Sequence, residues 1–127
     1  MIQRKAYQYL EVWKEAMNLI TSIYKEVKIE SADSPYLDLG TSILERAIQI
    51  PLWIEFSTDK DGYHESYSCL CEANSSCAVV RYYLILCRDL EFLNIEVVDC
   101  LLEKIEQLII IIEHMKDEDE QSYKNVF

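Results

Sequence analysis

Residues 98–115 read VDCLLEKIEQLIIIIEHM, and within them Val98, Leu101, Ile105, Leu108, Ile112 and Met115 fall at spacings of 3, 4, 3, 4 and 3. That alternation holds an apolar edge on one face of an α-helix for about five turns, which the two-residue period of a strand does not reproduce. Asp99, Glu103, Lys104, Glu106, Gln107 and Glu113 take the remaining directions. A helix with one apolar edge has to bury that edge against other helices, so the rest of the chain is read for its partners.

Partners lie upstream at similar spacing. Residues 63–93 carry Cys69, Ala73, Ser76, Val80, Tyr83, Cys87 and Leu90 along one stripe, whose small first half lets a neighbouring helix approach closely. Asn94 separates this segment from the one above. From Tyr7 to about Lys28, Leu10, Trp13, Met17, Ile20, Tyr24 and Val27 again alternate 3 and 4, while Tyr9, Val12, Ala16, Leu19 and Ile23 form an adjoining stripe. Trp13 and Tyr24 are read as core. Ser34 and Pro35 have the N-cap and first-turn signature of a second helix, continued by Leu39, Ile43, Leu44, Ala47, Ile50 and Ile54. Pro51 inside that pattern removes a donor and predicts a kink. Residues 57–62, STDKDG, are the strongest turn signal in the chain and divide two helix pairs.

Four amphipathic helices with short connections predict an all-α fold, an antiparallel up-and-down four-helix bundle over residues 1–116. Residues 117–127, opened by Asp117, Glu118, Asp119 and Glu120, are expected to form an acidic, disordered tail. At 127 residues the chain has room for one ordinary domain. Its 2 glycines and 2 prolines, where average usage gives roughly 9 and 6, speak against hairpins and glycine-rich phosphate loops.

With 12 Lys+Arg against 23 Asp+Glu the net charge is −11, which opposes binding to nucleic acid or an anionic membrane unless a local basic patch overcomes it. The longest fully aliphatic run, Leu108–Ile112, is far shorter than the roughly 20 residues of a membrane span, and no signal-peptide pattern is present. A cytoplasmic protein is expected. The five cysteines, Cys69, Cys71, Cys77, Cys87 and Cys100, have no paired metal-knuckle spacing and read as free thiols, mostly small core residues.

Leu108–Ile112 points apolar side chains in every direction around a helix, more than an internal core needs. The same excess occurs around Val79, Tyr82, Leu86 and Leu93, and of the adjacent Tyr82 and Tyr83 at least one leaves the core face. A homo-oligomer interface is therefore expected at Val79, Tyr82, Leu86, Leu93, Ile109, Ile110 and Ile111. Trp53, beside Pro51, together with Phe56, is a candidate partner anchor.

Three segments resemble a known family, the bacterial four-helix-bundle proteins that include the rRNA intervening-sequence protein and the accessory protein of diversity-generating retroelements. Leu10-Glu-Val-Trp13 through Ala16, with Ile23 and Tyr24, is similar to the family's opening L-x-V-W-x-x-A and later I-Y. Ile50, Pro51, Leu52 and Ile54 resemble its S-I-P-x-N-I segment, and Ala73–Ser76 its A-x-G-S. Trp53 stands where the family has Asn, Phe56 and Ser57 replace a Glu-Gly, and Ser75 replaces a Gly. The resemblance implies a ring-like homopentamer of helical bundles. For the retroelement members it also implies a reverse transcriptase as partner and nucleic acid held on a basic surface, a surface this acidic chain does not display.

Enzyme chemistry finds little to work with. Of two histidines, His64 and His114, neither belongs to an HExxH motif, and no Arg precedes either at the spacing of a HEPN-type ribonuclease. No catalytic residues, cofactor or metal are expected. Arg81 and Arg88, seven apart on one helical face, are the candidate nucleic-acid contacts, with ion pairing to acidic neighbours as the favoured role. The sequence thus points to a non-enzymatic homo-oligomeric scaffold or accessory protein in a ribonucleoprotein or retroelement setting. The alternative is an oligomer that binds RNA or DNA through a local basic surface.

Overall fold

The computed structural model describes residues 6–31, 37–58 and 63–126, and all five elements in it are helices: α1 (Ala6–Ser31), α2 (Leu37–Ala47), α3 (Gln49–Thr58), α4 (Tyr63–Asp89) and α5 (Ile95–Val126). The predicted N-cap at Ser34–Pro35 and the turn residues 59–62 lie outside the described residues. Helix α1 packs on α2, α3 and α5, and α4 packs on α2, α3 and α5. With α2 and α3 in series as one arm, each arm touches the two beside it in a closed ring of four. This is the four-helix bundle expected from the periodicity.

Pro51 explains why the second arm is two helices. A proline at 51 has no N–H for the Ala47 carbonyl, and the chain resets at Ile48, whose own N–H still reaches the Leu44 carbonyl at 3.1 Å. The break puts Pro51 in the first turn of α3, where an amide donor has no intrahelical partner to lose.

The α4–α5 corner is built from backbone hydrogen bonds. Glu91 takes φ of 58°, the left-handed conformation, and the N–H groups of Phe92 and Glu91 donate to the carbonyls of Cys87 at 2.9 Å and Arg88 at 3.0 Å. These are the two bonds of a Schellman motif. Phe92 and Cys87, its expected apolar pair, are both buried. Asn94 then caps α5, its Oδ1 accepting the Glu96 N–H at 2.8 Å.

Every member of the 98–115 stripe is buried, as are Cys69, Ala73, Ser76, Val80 and Cys87 of the α4 stripe. Leu90, at the end of that stripe, is exposed beside the Schellman turn. In α1 the Val12 stripe forms the core face and the Leu10 stripe splits, with Trp13 and Ile20 packed against the core edge. Val12, Ala16, Leu19, Ile23 and Val27 enter the core, whereas Leu10, Met17 and Tyr24 are exposed, so Tyr24 is not the core residue expected.

A second correction concerns the tail. Helix α5 continues through the acidic run to Val126, where a disordered segment from residue 117 was expected. Asp119 is the reason: it falls on the buried face, with 1% of its surface exposed, and accepts a hydrogen bond from Ser66 on α4. Glu120 and Lys124, four apart, add an ion pair at 3.4 Å on the outer side.

Candidate functional site

Exposed apolar side chains mark the surface most able to bind something. On α1, Leu10, Met17 and Tyr24 recur every seven residues and so share one face. On the second arm Ile48, Leu52 and Phe56 recur every four. Ile20 and Tyr24 line a shallow groove with Leu44 and Ile48. Half of the large exposed apolar side chains of the described residues belong to these two arms.

A second apolar surface is the outer side of α4. Tyr82, more than half exposed, Ile85 and Leu86 line a shallow depression with Ala78, flanked by Arg81 and Asp89. Tyr83 turns inward and packs against the core, its ring 5.8 Å from that of Tyr82, so one of the tyrosine pair leaves the core face.

The seven residues expected at an oligomer interface do not form one surface. Tyr82 and Leu86 share the α4 depression and Val79 is half-buried on the same helix. Leu93 is a correction: it is buried in the core, drawn in by the Schellman turn, whose Leu93 N–H also points at the Cys87 carbonyl. Ile109 packs against the core, Ile110 stands out on α5 at 68% exposure, and Ile111 lines a different groove, between α1 and α5. Trp53 is partly buried against the core, and Phe56 meets it edge-on at 5.5 Å between ring centroids, its other side in solvent.

Arg81 and Arg88 both find carboxylates. The Arg81 Nη1 donates to Glu106 Oε1 at 2.9 Å, and Arg88 lies 3.8 Å from Asp99 and 3.6 Å from Asp89. Both side chains remain partly solvated, so each pair contributes at most about 1 kcal/mol, but their charge is locally balanced.

Farther along the same seam Asn74 donates to Glu113, which also accepts from Lys116 at 3.3 Å, and the Lys116 ammonium lies 5.6 Å from the Tyr67 ring centroid. Burial works against the charge of Lys116, yet the bond to Glu113, with Cys71 and Tyr67 nearby, holds its pKa above the usual value. The neighbouring Cys71 sulfur pushes the Tyr67 phenol up, against the opposing pull of Lys116. These contacts bridge α4 and α5 and read as mortar between helices. Among the described residues no three His, Cys, Asp or Glu side chains converge as metal ligands, and no helix is long and apolar enough to cross a membrane.

Residues 8–114, nearly the whole bundle, match the 23S rRNA-intervening sequence protein family. The chain belongs to that family. No curated protein and no solved structure matches it. Membership agrees with the resemblance carried by the Leu10–Tyr24, Ile50–Ile54 and Ala73–Ser76 segments. The matched span contains both apolar faces and ends just before the acidic turns of α5.

The sequence reading missed Leu10, Met17, Tyr24, Ile48 and Leu52 as surface residues. A signal for the α1 members was present: α1 carries two full apolar stripes, more than one bundle corner buries in full.

Proposed function

We propose that this intervening-sequence family member is a non-enzymatic scaffold or accessory protein that acts as a homo-oligomer in the cytoplasm. Two apolar faces on different parts of one small bundle carry the reading, one on α1–α3 and one on α4. A cyclic assembly closes through a contact between two different patches, each protomer offering one to each neighbour, so two faces are what a ring requires. A dimer related by a two-fold axis needs only one. Family membership supports a ribonucleoprotein setting, and the likeness to retroelement accessory proteins supports a reverse transcriptase as partner.

The test is solution mass by light scattering on the native chain, on Leu52→Arg and on Tyr82→Arg. The native chain is expected at a multiple of 15.0 kDa. Each variant alone is expected to fall to monomer, because each loses one half of every contact. Mixed in equal amounts the two should form a dimer through the intact α4 face of the first and the intact α1–α3 face of the second. A native monomer at all concentrations overturns the proposal. Repeating the measurement with structured RNA at about 0.1 M salt, where exposed charges still interact over roughly 10 Å, separates the competing reading. A particle that gains RNA mass makes direct nucleic-acid binding the better account.

A further inference from the structure

Helices α1 and α5 enclose a third groove, distinct in composition from both apolar faces. Its floor is apolar: Val12 and Met115 are buried at its base, while Ile111 stands 39% exposed. Its rim is acidic. Glu11 and Glu15 project one turn apart on α1, and Glu118 faces them from α5. Among the described residues that line the groove Lys14 is the single Lys or Arg, and His114 lies 3.4 Å from Glu118.

We propose that this groove receives a cationic amphipathic helix from a partner protein. Two packed helices with an exposed aliphatic side chain between them present the ridge-and-groove surface on which an amphipathic helix lays its apolar face. From Glu11 to Asn18 the groove is about 10 Å long, two turns of such a helix. Ile111 supplies the apolar contact, and the three carboxylates sit where lysines or arginines flanking the apolar stripe would fall.

Charge selects the partner. A second copy of the chain brings another −11. Four of its cations, Arg81, Arg88, Lys116 and Lys124, are already within 4 Å of carboxylates of their own chain. Nucleic acid is repelled by the same rim. A basic protein segment meets neither obstacle, and its docking does not depend on whether the copies assemble through their apolar faces.

The experiment uses the full chain and a fluorescent helical peptide of about 15 residues made of Leu and Lys, with Leu at i, i+3, i+4 and i+7. A peptide of the same composition in scrambled order serves as the comparison. Binding is read by anisotropy at about 0.1 M salt. The amphipathic peptide is expected to bind at least about tenfold tighter than the scrambled one, a difference of about 1.4 kcal/mol. The variant E11Q/E15Q/E118Q should weaken it at least about tenfold, and Ile111→Lys should do the same. The variant E55Q/E72Q/E96Q changes net charge equally but at exposed positions outside the groove and should weaken it less than about twofold.

Equal losses in the two triple variants would show attraction to overall charge and overturn the proposal, as would equal binding of the scrambled peptide. Light-scattering mass without peptide is measured on every variant. A change of mass in the groove variants would make the groove a contact between copies and overturn the chosen occupant, whereas the L52R and Y82R masses bear on assembly alone. Helical circular dichroism and the urea midpoint are followed throughout. If Ile111→Lys unfolds, Ile111→Gln carries the same expectation.

Discussion

Ser66 on α4 donates a 2.9 Å hydrogen bond to Oδ2 of Asp119 on α5, and both side chains are buried. The bond joins the first turns of α4 to the acidic end of α5. It turns a stretch that composition marks as solvated into part of the bundle. A hydrogen bond to a charged group is worth about 1.5–3 kcal/mol, and removing one partner leaves the other desolvated. Asp119→Ala should therefore cost about 2 kcal/mol in urea unfolding. Asp117→Ala and Glu120→Ala, at exposed positions, should stay within about 0.5 kcal/mol. Equal, small effects at all three would show that the α5 end is not held.

Glu91 occupies a backbone conformation that favours glycine. A side chain at φ of 58° places Cβ against the following carbonyl oxygen at roughly 1–2 kcal/mol, and the Schellman bonds around it hold the residue there. Glu91→Gly removes that strain at some cost in unfolded-chain entropy. A net gain of about 1 kcal/mol is expected, raising Tm by about 3–5 °C for a chain of this size. Thermal unfolding checks it, and a lowered Tm would mean that the Glu91 side chain contributes more than its backbone costs.

The fold was legible because α4 and α5 each carry one dominant stripe, α1 carries a wide apolar face, and Pro51 announced the break in the remaining arm. What the sequence left ambiguous was rotation. On α1 the stripes through Leu10, Met17 and Tyr24 and through Val12, Leu19 and Ile23 have the same period and similar hydropathy, so spacing alone does not say which faces inward. Packing decides, in favour of the set that includes Ala16, whose small side chain lets a neighbouring helix approach closely. Ile23→Ala, at a fully buried site, should cost about 2–5 kcal/mol, and Tyr24→Ala, half exposed, less than about 1 kcal/mol. The reverse order in urea midpoints would restore the original assignment.

The candidate surfaces were only partly legible for a related reason. Leu108–Ile112 surrounds its helix with aliphatic side chains, which announces that some must leave the core but not where they go. The structure distributes them: Leu108 and Ile112 inward, Ile109 against the core edge, Ile110 outward, and Ile111 into the α1–α5 groove. Ile112→Ala is expected to cost about 2–5 kcal/mol and Ile110→Ala less than about 0.5 kcal/mol, read from denaturant midpoints of the monomeric L52R background.

The cysteines supply a pH prediction. Burial pushes the thiols of Cys77 and Cys87 up to about 12 and about 11, so both stay protonated and unreactive in the folded chain. Cys100, exposed on α5, is open to reagent. At about pH 8 an aromatic disulfide reagent should label the exposed Cys100 rapidly. Cys77 and Cys87 should react at the rate of unfolding, which peptide mapping of the labelled sites resolves. The sign of the stability change follows from the same shifts. A folded-state pKa raised above the unfolded value means that the unfolded chain releases these protons first. The contribution of the two thiols is thus fully present below about pH 8.5 and falls as pH rises toward 11–12. The variant Cys77→Ala/Cys87→Ala, less stable at neutral pH because it opens a small cavity, should lose less further stability between pH 8 and 10 than the native chain. Parallel curves for the two proteins across that range would place the alkaline loss in other groups.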